Sequence, residues 1–137
     1  MNILYFLTPK SDVVHINIES TLRQVLEKME HCGYTALPML DREGRYVGTI
    51  TEGDLLWEIK DRFSLSLKAA ETVPLAQVKR RRDNAPANVL SNIEDLIPLI
   101  MSQNFVPVVD DRGMFMGIIT RKAVIEYLYH QSKQFSS

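Results

Sequence analysis

Apolar and polar positions along this chain trace one plan and then trace it again. Residues 3–7 form a short apolar segment ending at Thr8 and Pro9, and Pro9 bars a helix from running into it. Residues 13–18 (VVHINI) alternate after their first positions and are rich in β-branched side chains, which predicts a strand. Ser20 then stands where a helix cap is needed. Leu22, Val25, Leu26 and Met29 follow at helical spacing, with a stop near Gly33. Residues 36–40 (ALPML) predict a short buried strand, 41–44 a turn, 45–51 (RYVGTIT) a second strand containing Gly48, and 52–61 a helix.

The same order returns in the second half. Residues 88–90 are the strand candidate and Ser91 the cap, with Ile93, Leu96, Ile97 and Ile100 forming the helix face. Residues 105–109 (FVPVV) and 114–120 (MFMGIIT) are strands around a turn at 110–113, and the closing helix carries Val124, Ile125, Leu128 and Tyr129. A single offset carries Pro38 onto Pro107, Gly48 onto Gly117 and Thr51 onto Thr120. Ser20 and Ser91 lie slightly further apart, so the second copy is shorter between its first helix and its Pro-containing strand. Agreement of cap, strand and turn signals at one offset marks a two-fold internal repeat. Between the copies, 64–71 predict a short helix and Pro74 starts another through Val78, followed by Lys79-Arg80-Arg81-Arg82-Asp83. Residues 75–83 (LAQVKRRRD) hold the place before the second copy that 4–12 (LYFLTPKSD) hold before the first. The sequence therefore divides into 1–71, the first repeat with its N-terminal lead-in and trailing helix, and 72–137, the second repeat with its basic lead-in.

The feature common to both copies is a strand that meets a helix at a threonine: GTITEGDLL from Gly48 and GIITRKAVI from Gly117. A Thr ahead of an apolar-periodic run caps free backbone N–H groups, and a helix start favours anions. Composition adds limits. A chain of 137 residues, 45% hydrophobic and 24% charged, can bury a core and reads as folded. Its net charge of −1 sets up no global field toward nucleic acid or membrane, and no apolar run is long enough to span a bilayer. The opening residues lack a basic start and a small-residue cleavage site, so no signal peptide is predicted. Cys32 is alone, which fits a reducing compartment, and the expected location is the cytoplasm. His15 and His31 have no partners at metal-ligand spacing, and there is no nucleophile–base pair or Gly-rich phosphate loop. No metal, no cofactor and no catalytic residue is predicted.

A β-α-β-β-α unit with Pro in its middle strand and an ending of Gly-apolar-apolar-Thr-x-x-Asp resembles the CBS domain. The residues that carry the resemblance are TALPMLDREGRYVGTITEGDL and FVPVVDDRGMFMGIITRKAV. It spans nearly the whole chain and implies an α/β fold, a tandem CBS repeat or Bateman module. Its two units would pack with pseudo-two-fold symmetry, in a disc-like homodimer. It also implies two clefts resembling adenosine-phosphate sites and a sensor rather than a catalyst. Carried over residue by residue, one nucleotide site would use Thr51 and Asp54 with Arg80, Arg81, Arg82, Asn104, Phe105 and Val106. There Asp54 would hold the ribose hydroxyls and the arginines the phosphates. The other would use Thr120, Arg121 and Lys122 with Lys10, Val13, Tyr34, Thr35 and Ala36; Ala123 stands where the family has Asp. GYTALP together with Thr-Arg-Lys is also similar to small CBS-pair proteins that bind cyclic di-AMP. The expected ligand is AMP, ADP, ATP or cyclic di-AMP, and the expected audience an unidentified protein partner.

Plainer roles compete for each residue. Asp54 is also a first-turn acid that complements its helix dipole, and Arg121 and Lys122 are cations whose place at a helix start opposes one. A four-cation run is often a solvated face. Trp57, at helical spacing from Asp54 and Asp61, suits helix packing or a dimer surface as well as base stacking. Two rival functions follow. One is nucleic-acid binding through KRRR and Arg121-Lys122, against which the near-neutral charge argues. The other is a structural interaction module with empty clefts, which Ala123 supports and the intact Thr51-x-x-Asp54 opposes.

Overall fold

Strand β3 (Ala36–Leu40) runs antiparallel to β4 (Tyr46–Thr51), with Pro38 opposite Thr49 and Ala36 opposite Thr51. In this computed structural model, residues 2–80 and 83–135 are described. The chain divides into two compact units, Val14–Asp83 and a second made of Met1–Val13 with Asn84–Ser137.

In the first unit the sheet has the order β2-β3-β4, β2 being Ile16–Asn17. The predicted strand over 13–18 is thus cut to two residues, paired parallel with Met39 and Leu40. Proline explains the cut. The N–H of Thr49 points away from β3 and donates to Asp83 Oδ1 at 3.0 Å, so Pro38 and Thr49 are not a hydrogen-bonded pair and Pro38 faces its nitrogen toward β2. With no N–H to give, the β2 ladder starts only at Met39. Helix α1 (Leu22–Cys32) is capped by Thr21, not by the predicted Ser20. Thr21 and Gln24 form a capping box, whereas the Ser20 N–H is spent in the turn on Asn17 O at 2.9 Å. Gly33 ends the helix at φ 77, as its composition predicts. Helix α2 (Glu52–Phe63) and short α3 (Leu67–Ala70) complete the unit, the latter within the helix predicted over 64–71. Its core gathers Leu22, Val25, Met29, Leu37, Met39, Ile50 and Leu55.

The second unit repeats these devices. Its sheet has the order β1-β7-β6-β5, with β1 at Thr8–Pro9, β5 at Ala87–Asn88, β6 at Phe105–Val109 and β7 at Phe115–Thr120. The candidate strand at 88–90 is displaced to Ala87–Asn88, and Asn92 rather than Ser91 caps α4 (Ile93–Ser102), boxed with Asp95. Here too the serine N–H is taken by the turn, at 2.9 Å from Asn88 O. Both hairpin turns are held alike. Asp41 Oδ1 accepts from Glu43 and Arg45, Asp110 Oδ1 from Arg112 and Met114, and each turn closes on a glycine of positive φ. The chain closes with α5 (Arg121–Phe135).

The compact units do not coincide with the consecutive sequence halves 1–71 and 72–137. The 3₁₀ turn Ile3–Phe6 buries Ile3 and Phe6 in the core of the second unit, while Leu75 and Val78, from the matching turn, are buried in the first. Each sequence repeat thus leaves a gap in its core that the lead-in of the other fills. Hydrophobic burial decides the matter: Ile3 and Leu75 are each 0% exposed.

One consequence is measurable. Ile3→Ala removes a fully buried side chain and should cost about 2–5 kcal/mol. Native-state hydrogen exchange should speed up in β6, β7 and α4, far along the sequence, and change less in residues 14–83. Faster exchange confined to residues 14–83 would contradict the assignment.

Candidate functional site

At the end of β4 the chain enters α2 with no intervening loop. Thr51, half-buried, is the N-cap: its hydroxyl accepts the Asp54 N–H at 3.1 Å, and Asp54 Oδ2 accepts the Thr51 N–H at 3.0 Å. The next free donor, Glu52 N–H, goes to Thr35 O at 3.0 Å. Asp54 is only 3% exposed, so a carboxylate is buried at the positive end of a helix. The structure shows Asp54 as the first-turn acid of its helix, and the cap fixes its position against the end of β4.

The second junction keeps the backbone and changes the chemistry. Ala123 N–H donates to Thr120 Oγ1 at 3.1 Å and Arg121 N–H to Asn104 O at 2.9 Å, as in the first unit. Ala123 brings no carboxylate to complete the box. Arg121 Nε donates to Ile100 O at 2.9 Å, in the last turn of α4, where carbonyls lack helical partners. Its Nη groups make no hydrogen bond to the described residues. Lys122 is solvent-exposed, 4.0 Å from Glu126 one turn on.

The predicted residues group by unit. Tyr34, Thr35 and Ala36 stand next to Thr51 and Asp54, because Ala36 is the register partner of Thr51. Asn104 and Phe105 stand next to Thr120 and Arg121, since Phe105 is the partner of Thr120. Lys10 lies in the turn Lys10–Asp12 against β7, with the Val13 N–H bonded to Lys10 O at 3.1 Å. Val106 is 0% exposed, so its side chain is core and only its backbone can meet a ligand. Tyr34 is 55% exposed beside the Thr51 junction. Arg81 and Arg82 lie outside the described residues.

Arg80 has a partner that the basic run did not suggest. Its Nε donates to Asp83 Oδ1 at 2.8 Å and its Nη2 to Val47 O at 3.3 Å, so the guanidinium lies along the outer edge of β4. Gly48 makes this approach possible: at its φ of 152 a Cβ would fall 2.7 Å from Arg80 Nε. Burial pushes the Asp83 carboxyl up, but the hydrogen bonds from Arg80 and Thr49 and the Arg80 charge outweigh it and hold the group below the ordinary value of 3.8. Further residues missed by sequence patterning are Gln103 and Asn84. Gln103 accepts from Ala85 N–H at 2.8 Å and donates to Ala85 O and Phe105 O, while Asn84 donates to Phe105 O at 3.0 Å. These amides pin the loop before β5 to the start of β6. Periodicity is blind to such pairs. Trp57 is covered by Lys60, whose Nζ stands 4.7 Å from its ring centre.

A duplicated α/β unit, with a Pro-centred strand and a strand–Thr–helix junction in each copy, is a tandem-repeat module. Residues 6–61 and 83–130 match the sequence profile of the CBS domain, and the chain belongs to the CBS-domain family. A relative, the cyclic di-AMP receptor B of Bacillus subtilis (strain 168), is 27% identical over 128 residues, covering 90% of this chain and 83% of that protein. The crystal structure of CbpB in complex with c-di-AMP matches with a TM-score of 0.88 at 23% identity, over 99% of this chain and 89% of that one. CBSX2 in complex with AMP matches with a TM-score of 0.75 at 21% identity, over 96% of this chain and 98% of that one. At such identities these two structures bear on the fold. Among the described residues no helix is long and apolar enough to cross a membrane.

Because Asp83 titrates lower in the folded chain than in the unfolded one, the stability it contributes is present above the unfolded value and fades as pH falls through the folded value. Arg80→Ala should therefore raise the Asp83 midpoint seen by carboxyl NMR and flatten the loss of stability below about pH 4. An unmoved midpoint would remove Arg80 as the cause.

Proposed function

We propose that this chain is a regulatory, non-catalytic sensor of adenine nucleotides, acting in the cytoplasm and read by a partner protein. The observation that carries the proposal is the strand–Thr–helix junction, built twice with the same backbone bonds in a chain whose relative is a cyclic di-AMP receptor. Each junction sets a helix start beside a strand end; half-buried Arg121 opens the second helix, while half-buried Arg80 lies along the outer edge of the strand that leads into the first. That combination suits a phosphate, and Asp54 suits a ribose diol.

The two junctions would divide the ligands. The Thr51–Asp54 junction, with its carboxylate, favours AMP, ADP or ATP, whose 2′,3′-diol offers two donors. The Thr120–Arg121 junction, without one, tolerates a cyclic dinucleotide that has no free 2′,3′-diol. Leu56, 57% exposed, borders an open apolar groove between α1 and α2 lined by Leu26, Met29, Leu55 and Ile59, which favours self-association into a homodimer. An interaction module without ligand is the second reading. It draws on Ala123 and on the commitment of Arg121 to Ile100.

Isothermal titration with AMP, ATP and c-di-AMP tests the proposal. Asp54→Asn, which keeps an acceptor for the Thr51 N–H, should weaken AMP and ATP by roughly tenfold, the scale of a hydrogen bond to a charged group. It should leave c-di-AMP nearly unchanged, whereas Arg121→Ala should do the reverse. Absence of binding of all three nucleotides by the wild-type chain would leave the interaction module standing in its place.

A further inference from the structure

We propose that Asp83 is a built-in competitor of the ligand: its carboxylate occupies, from within the chain, an anion site on the outer edge of β4 that a phosphate oxygen would otherwise take. The proposal deepens the nucleotide-sensor reading and rests on it for the identity of the ligand. It does not rest on it for the existence of the anion site.

The geometry is that of a filled anion site. One oxygen, Asp83 Oδ1, receives both the Arg80 Nε–H at 2.8 Å and the Thr49 main-chain N–H at 3.0 Å. A cation and a backbone N–H converging on one oxygen is also the donor set that binds phosphate oxygens. The guanidinium is held for that purpose by contacts other than Asp83. It lies against Gly48, where any Cβ would collide with it, and Nη2 bonds to Val47 O at 3.3 Å. Removing the carboxylate therefore leaves the two donors in place. The site is also reachable, since the side chain of Arg80 is 23% exposed and that of Asp83 44%.

The second unit argues that the ion pair is not there merely to close a strand edge. The matching edge, that of β7, is closed by main chain alone: β1 pairs Thr8 with Ile118 and Pro9 with Gly117. Asp12, the counterpart of Asp83, is exposed in the Lys10–Asp12 turn. One fold thus closes the same edge in two ways, and only one of them places a cation and an anion in contact. Self-occupancy lowers the apparent affinity of an incoming anion by the fraction of time the site is free, so Asp83 would set the ligand concentration at which the sensor responds.

The test is titration calorimetry at fixed ionic strength with ATP and with inorganic tripolyphosphate. It compares the wild type with Asp83→Asn, Asp83→Ala, the double variant Arg80→Ala/Asp83→Ala, and Asp12→Asn. Both Asp83 variants should bind tripolyphosphate and ATP about fivefold more tightly than the wild type, the double variant should lose the gain, and Asp12→Asn should show none. Asp83→Asn keeps an acceptor for the Thr49 N–H and answers the question if Asp83→Ala does not fold. Unchanged or weaker tripolyphosphate binding by the Asp83 variants overturns the proposal, as does an equal gain in Asp12→Asn, which would be a general charge effect. Tighter tripolyphosphate with no ATP binding by any variant supports the competition and removes the nucleotide reading.

Discussion

Each unit depends on a strand that becomes a helix with no residue between them to absorb the change. A helix start leaves backbone N–H groups without acceptors. Here the first goes to the carbonyl just before the neighbouring strand, Thr35 O or Asn104 O, and the third to the threonine hydroxyl. Since Ala36 pairs with Thr51 and Phe105 with Thr120, sheet register and helix start are fixed together. A slip of one residue would turn the core side chains of β3 or β6 outward and take the accepting carbonyl away from its helix. That coupling explains why Pro, Gly and Thr recur at one offset: they are near neighbours across a single antiparallel pair. Pro38 faces Thr49, and Gly48 faces Met39.

The same strands leave an outer edge that must be covered. At β7 the lead-in supplies backbone, and Gly117 is required because a Cβ there would run into the Thr8 carbonyl. At β4 the lead-in supplies side chains, and Gly48 makes room for a guanidinium. The glycines are equivalent in φ, 152 and 150, while the partners they admit are chemically unlike. A repeat can therefore conserve its geometry and exchange a neutral edge for a charged one.

Much of this was legible from the residues. The alternation, the apolar helix faces, the Gly33 stop and the Thr51 cap are local signals, and local forces decide them. The caps at Ser20 and Ser91 were misplaced by one residue because two cap-forming residues stand together in each case, Ser20 with Thr21 and Ser91 with Asn92. The choice falls to whichever has Gln24 or Asp95 three positions on to complete the box. The shortened β2 was readable in principle from Pro38, but only with the strand order known. The exchange of lead-ins was not readable from the repeat period, which says which segments are equivalent and not which core each one enters; only the resemblance, which set Arg80 with Thr51 and Lys10 with Thr120, pointed to it. Arg80 belongs to the same class. As a letter in KRRR it is one cation among four, and only the edge of β4 distinguishes it.

The two junctions show how far a local misfit can be trusted as a sign of function. Two cations at the start of α5 oppose its dipole, and taken alone they ask for an anion. In the folded unit Arg121 answers a different need, because its Nε meets Ile100 O at the carbonyl end of α4. A charge that is unfavourable for its own helix is favourable for the next one, and part of the apparent cost is met inside the protein. Asp54 runs the other way. It is favourable for its helix and boxed with Thr51, yet nearly all of its surface is withdrawn from water. Burying a carboxylate costs more than a surface cap would, since an exposed acid of the first turn complements the dipole as well. The misfit at Arg121 is thus met by α4, and the burial of Asp54 is offset by the bond its carboxylate accepts from the Thr51 N–H, so for neither residue does the local rule by itself argue a ligand.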